Sequence, residues 1–144
     1  MIENREDNFE KNKIFLKKYL YSLKKVERLK EKYLELELEI GSIRSGTISD
    51  MPKGGGTPIS LDELISRKDE LKIRINKAIK QSDDVRMKVL SVIDNLEDVR
   101  HCEILEAYFI ENLSFEQIAE EYNYSLRHIN RMYSQGIRKL TISK

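Results

Sequence analysis

"SFEQIAEEYNYSLRHINRMYSQGIRKL", residues 114–140, decides how this chain is read, because its first half is acidic and every charged residue after Glu121 is basic. Ser114, with Gln117 three residues on, forms a capping box that starts a short helix. Ile118, Ala119 and Tyr122 make its inner face. Asn123 follows where a tight turn needs a left-handed residue, which Asn tolerates better than most. Ser125 then caps the last helix. Within it Ile129, Met132 or Tyr133, Gly136 and Leu140 point inward, while Arg127, Asn130, Arg131, Ser134 and Arg138 share the outward face. The short side chain of Ala119 permits close approach of the two helices.

A small residue, a turn four positions later, an apolar residue six beyond that and a polar second helix are the grammar of a helix-turn-helix. Charge sharpens it. From Glu97 to Tyr124 there are eight acids and one base, whereas from Ser125 to Lys144 there are five bases and no acid. A merely solvated face would mix signs, and outward Arg, Asn and Ser supply the donors that phosphates and base edges accept. Just upstream, the pattern predicts a further short helix from about Glu97 to Glu111. Its inner face is Val99, Cys102, Leu105 and Tyr108 or Phe109, and Asn112–Leu113 breaks it.

Five of the six glycines and both prolines fall between Gly41 and Pro58, which marks a linker. Before it, Phe15, Tyr19, Ser22, Val26, Leu29, Tyr33, Leu36, Ile40 and Ile43 recur at alternating spacings of four and three, a heptad seam. After it, Leu61, Leu64, Lys68, Leu71, Ile75, Ala78, Ser82, Val85, Val89, Val92 and Leu96 keep the rhythm, with Lys68 and Ser82 polar. Helices of roughly 30 and 35 residues would extend about 45 to 53 Å, matched well enough to fold back as an antiparallel coiled-coil hairpin. Pairing into a homodimer through the same seam is equally allowed. Ser82-Asp83-Asp84 offers capping residues where a bend would fit. Ser60 and Glu63 cap the second helix. "MPKGGGTP" (51–58) lacks the Gly-Lys-Ser/Thr order and the preceding strand of a nucleotide-binding loop, so it reads as a connection, with a contact role for Lys53 left open.

The expected architecture is therefore all-α: residues 1–95 as a helical coiled-coil hairpin with its linker at 41–58, and residues 96–144 as a helix-turn-helix domain. With 35% charged residues and no Trp, no single large core is available. The net charge of +1 gives no global argument for nucleic acid, so the case rests on where the charges sit. Cys102, the sole cysteine, reads as a small buried hydrophobe suited to a reducing compartment. No uncharged run approaches the roughly 18 residues of a membrane span, and the expectation is a soluble cytoplasmic protein without a membrane partner. His101 and His128 lack metal-ligand spacing, and no nucleophile–base–acid constellation is visible. Neither a metal nor a cofactor nor an enzymatic activity is expected.

The segment "ILEAYFIENLSFEQIAEEYNYS" followed by "LRHINRMYSQGIRKL" resembles region four of sigma-70-type sigma factors. The chain is also similar to small phage and mobile-element transcriptional regulators of the ArpU and RinA kind, in its helical N-terminus, its "MPKGGG" linker, the Tyr124-Ser125 pair and Arg127. Phe115 stands where these regulators often carry Trp. Gly136 stands where Ala is usual, and on an exposed face it would weaken the helix by up to about 1 kcal/mol. No segment resembles the sigma region that melts promoters. The resemblance implies a regulator that binds double-stranded DNA, with RNA polymerase as a protein partner.

Together these readings place helix 125–140 in the major groove. Arg127, Asn130 and Arg131 are the base-edge candidates. Ser125, His128, Arg138 and Lys139 are the phosphate candidates, with Ser134 on the same face. His128, beside Ile129, is equally a packing residue. A phage small terminase subunit, which would bind DNA for packaging as a ring, and a coiled-coil adaptor without DNA affinity are the alternatives.

Overall fold

The computed structural model describes residues 5–46 and 59–142, with side chains from Asn8 onward. The described residues form five helices and no strand: α1 (Arg5–Ser45), α2 (Leu61–Asp94), α3 (Val99–Phe109), α4 (Phe115–Tyr122) and α5 (Leu126–Lys139). The expected all-α architecture is thus the observed one: a long helix pair followed by a small helical domain. "MPKGGGTP" and Lys53 lie outside the described residues.

The chain divides into two compact units, residues 24–80 and residues 1–23 with 81–144. In the first, Leu29, Leu71 and Ile75 form a buried cluster, flanked by Tyr33, Leu36, Ala78 and Ile79. Most of these are seam residues, so the heptad spacing does select the faces on which α1 and α2 meet. Lys68, polar within its seam, is accommodated by its ammonium, which lies over the Tyr33 ring with Nζ 5.3 Å from the centroid and reaches Glu37 at 3.4 Å. That pair joins a late position of α1 to an early one of α2, as an antiparallel arrangement requires.

Two expectations about these helices change. Gly41 does not start the linker, since α1 continues through it to Ser45 and ends at Gly46, whose φ of +68° suits a residue without Cβ. Residues 82–84 do not interrupt α2, which runs unbroken from Leu61 to Asp94 with Ser82 buried. At the start of α2, the Glu63 amide donates to Ser60 Oγ at 3.2 Å, as the cap predicts.

The second unit has the main core. Leu16 of α1 and Val89 and Ile93 of α2 join Ile104, Leu105, Ala107, Phe109, Ile118, Ile129, Met132, Tyr133, Ile137 and Leu140 in one buried cluster. α5 packs on both α3 and α4. Burying Phe109, Leu105 and the four isoleucines of this cluster beyond α2 contributes on the order of 1.5–3 kcal/mol each. α3 starts later than the pattern suggests, because Asp98 takes the cap position and accepts from the Arg100 amide at 2.9 Å. Of its expected inner face, Leu105 and Phe109 are buried, but Val99 is 66% exposed, and His101 and Ile104 are buried in addition. Cys102 is half-buried, and its thiol donates to the Ile93 carbonyl at 3.3 Å. Burial, then the neighbouring Asp94 carboxylate, raises the pKa of that thiol.

Candidate nucleic-acid interface

α4, its turn and α5 are held by local interactions that can be followed atom by atom. The Ser114 amide donates to Gln117 Oε1 at 2.9 Å and the Gln117 amide donates to Ser114 Oγ at 3.2 Å, so both halves of the capping box form. Asn123 takes the left-handed conformation, φ 58° and ψ 40°, and its amide returns to the Ala119 carbonyl. The Tyr124 amide reaches that same carbonyl at 3.0 Å. Ser125 Oγ accepts the His128 amide at 3.1 Å, which fixes the first turn of α5. These bonds set the direction in which α5 leaves α4.

Packing sets its rotation. Ile129, Met132, Tyr133, Gly136, Ile137 and Leu140 are buried, and the close approach to α3 occurs at Gly136. A Cβ there would lie 3.1 Å from Leu105 Cδ1 and 3.3 Å from His101 Cβ. Gly136 lies inside, as its place on the inward face of the pattern predicts, so the weakening an exposed glycine would bring does not apply. Its missing side chain is what lets α5 sit on α3. Tyr133 fills the neighbouring space among Tyr108, Phe109 and Phe115, with ring centroids between 5.1 and 5.7 Å from its own. Burial, then Tyr108 and Glu10, push its phenol up to about 12.

With that face inside, Arg127, Asn130, Arg131, Arg138 and Lys139 are exposed, and Ser134 lies half-buried in the same stripe. Arg127, Arg131, Ser134 and Arg138 follow one another along the helix at spacings of four, three and four, with Asn130 beside Arg131 on the same broad face. No carboxylate forms an ion pair with Arg127, Arg131, Arg138 or Lys139 among the described residues. Ser125 spends its acceptor on the cap, leaving the hydroxyl proton free to donate. His128 is half-buried, its ring edge-on to Tyr124 at 4.6 Å and its Nδ1 3.4 Å from an Arg131 guanidinium nitrogen. It both packs and restrains Arg131. Leu126, in the first turn beside Arg127, is 45% exposed, an apolar surface position outside the inward period.

The acids sit elsewhere. Burial first, then Glu121, Glu103, Glu111 and Glu106, raise the pKa of Tyr122, which locates a negative patch on α3 and α4. Glu106 is raised by burial, then by Asp94 and Glu111. Arg100 offsets one end of this region, its guanidinium 3.0 Å from Asp98 and holding that carboxyl at about 2. The alternation of sign seen along the sequence thus becomes an acidic α3–α4 surface and a basic stripe on α5.

Other chemistry is sparse. Among the described residues no group of three or more His, Cys, Asp and Glu side chains could hold a metal ion. No helix of the described residues is long and apolar enough to cross a membrane. His101 is buried with neither ring nitrogen hydrogen-bonded, and its Nε2 lies 3.9 Å from Asp98. Apolar periodicity does not single it out, because histidine does not count as an apolar position.

Two contacts that no local motif announces also shape the interface. The Asn12 side-chain amide of α1 donates to the Ile137 carbonyl at 2.7 Å and to the Leu140 carbonyl at 3.3 Å. Both carbonyls lie at the end of α5, where a helix leaves acceptors short of donors; the Ile137 carbonyl also accepts the Leu140 amide at 3.3 Å. The Arg138 guanidinium lies 5.4 Å from the Phe9 ring centroid, so α1 also braces the last arginine of the stripe.

Residues 94–141, one third of the chain, match the family model "Sigma-70, region 4". The match begins at the end of α2 and closes just beyond α5, covering the whole helix-turn-helix. No curated protein and no solved structure matches the chain.

Proposed function

We propose that the protein is a sequence-specific DNA-binding transcriptional regulator of the phage or mobile-element type, which lays α5 in the major groove. The observation that carries this is the unpaired basic stripe of α5, presented by a capped helix-turn-helix inside the segment that matches Sigma-70, region 4. Arg127 and Arg131 have the paired donors that guanine O6 and N7 accept, and Asn130 has the donor and acceptor that adenine pairs with. Leu126 adds an apolar surface of the kind that packs on a thymine methyl. Ser125, His128, Ser134, Arg138 and Lys139 hold phosphates and thereby fix register.

Like charge turns the acidic surface of α3 and the end of α4 away from the duplex, while the start of α4 stays near the backbone. That surface suits a basic protein partner, and RNA polymerase fits a regulator of this type. The helix pair supplies geometry, with a homodimer through its seams as one arrangement. The protein acts in the cytoplasm, without cofactor or catalysis.

Selection of bound sequences from random duplexes, run in parallel with Arg131→Ala, tests the reading. The wild-type chain is expected to enrich a motif in which the variant loses preference at one position. If the wild-type chain enriches nothing and the variant binds equally well, α5 is not the reading helix.

A further inference from the structure

The stripe on α5 is not the only acid-free basic segment of its compact unit. Residues 11–23 of α1 carry four lysines and no acid. Asn12 fastens this segment to the C-terminal end of α5, and Phe9 lies beneath Arg138. Two stretches of one sign, more than a hundred residues apart in sequence, are brought together by one buried amide.

Helical geometry distinguishes the four lysines. Phe9, Asn12 and Leu16 form the line of α1 that faces α5 and the core. At about 100° per residue, Lys13 and Lys17 fall on the flank next to that line, whereas Lys11 and Lys18 fall elsewhere on the helix. The same flank carries Leu20, which lines a shallow groove with Leu113, Ser114 and Phe115 at the start of α4. Lys13 and Lys17 are half-buried while Lys11 and Lys18 are exposed, the expected difference where stems cover apolar surface and leave their ammonium groups in water. Neither Lys13 nor Lys17 forms an ion pair among the described residues. Glu10, three residues before Lys13, lies on this same flank and acts on the Tyr133 phenol, and Glu116 lines the groove.

In a helix-turn-helix the second helix enters the groove while the first crosses the sugar-phosphate backbone. A cationic flank beside the end of α5 and the start of α4 is therefore placed where a phosphate strand leaves the groove. We infer that Lys13 and Lys17 of α1 are DNA-phosphate contacts, so that the long helix pair forms part of the DNA-binding surface as well as a spacer. This rests on the proposed function and extends it outside the segment that matches Sigma-70, region 4.

The test uses the full chain with Lys13→Gln and Lys17→Gln combined, with Arg131→Ala alongside. Affinity is measured by fluorescence anisotropy over a range of salt, on the selected duplex and on a scrambled one. The lysine variant is expected to weaken on both duplexes by a common factor. The slope of log affinity against log salt is expected to fall by about 1 to 2, at roughly 0.9 for each phosphate no longer neutralised. Lys13→Arg with Lys17→Arg is expected to restore both. An unchanged slope and affinity in the Gln variant, while Arg131→Ala still loses sequence preference, overturns this inference and leaves the proposed function standing. Failure of the Arg variant to restore binding despite wild-type thermal melting overturns it too. A wild-type chain with no salt-dependent duplex affinity sinks both.

Discussion

Replacing Gly136 by alanine adds one methyl group where α5 crosses α3, and two opposed effects of similar size decide the result. An interior helical glycine becoming alanine gains about 1 kcal/mol in backbone propensity. Against this, the new Cβ would stand 3.1 Å from Leu105 Cδ1 and 3.3 Å from His101 Cβ. Leu105 is wholly buried, and a Cβ moves only with its helix, so neither neighbour yields freely. Overpacking of this kind costs about 1–3 kcal/mol. The expected outcome is a net loss of up to roughly 2 kcal/mol, read from the midpoint of urea unfolding at constant slope. A cycle locates the cause: Leu105→Val should be less costly in the Gly136→Ala background than in the wild type, because it removes the atom in the way. Stabilisation by about 1 kcal/mol, the gain of an exposed position, would refute the account of Gly136 as the point of close approach.

Other perturbations have equally definite outcomes. Asn12→Ala leaves the Ile137 and Leu140 carbonyls without their side-chain donor, and stability should fall by about 1–3 kcal/mol, with amide exchange accelerating in the last turn of α5. Unchanged exchange there would mean that water replaces the amide at no cost. For Tyr133, whose folded pKa of about 12 exceeds the unfolded value near 10, the native state holds its proton more tightly. Its contribution is complete below about pH 10 and is lost as pH rises through about 12, a change of roughly 2–3 kcal/mol. Tyr133→Phe should flatten that alkaline limb, and an identical limb in the variant would show that the phenol does not titrate as its burial implies.

Much of the fold is legible in the sequence wherever one short-range rule governs one feature. The Ser114 box, the left-handed Asn123 and the Ser125 cap each depend on residues within a turn of one another, and all three form. The seams of α1 and α2 are legible because burial repeats with the helical period. The inner faces of α4 and α5 follow from the same rule. The misses have a common physical origin in tertiary context. Val99 looks apolar and inward, yet Asp98 sets the start of α3 so that Val99 leads into solvent. Gly136 falls on the inward face as the pattern has it, but its close approach to Leu105 and His101 of α3 shows only in the packed structure. Asn12 is a polar residue one turn before the first seam position, and nothing local says that it caps a helix 125 residues away. Of the candidate site, sequence spacing located the stripe on α5, while the bracing of Arg138 by Phe9 and of Arg131 by His128 needed coordinates.

The central claim is that the exposed stripe of α5 reads base edges, and paired affinities on matched duplexes test it most directly. Wild type, Arg131→Ala and Arg138→Ala are measured at fixed salt against the selected duplex and its single-base variants. Arg131→Ala is expected to lose about 1–3 kcal/mol of discrimination, roughly 5- to 150-fold, at one base pair only. Arg138→Ala should weaken every duplex alike, as removal of a phosphate anchor does. Equal losses across all base pairs for both variants would contradict the account, because α5 would then supply charge to the duplex without reading it.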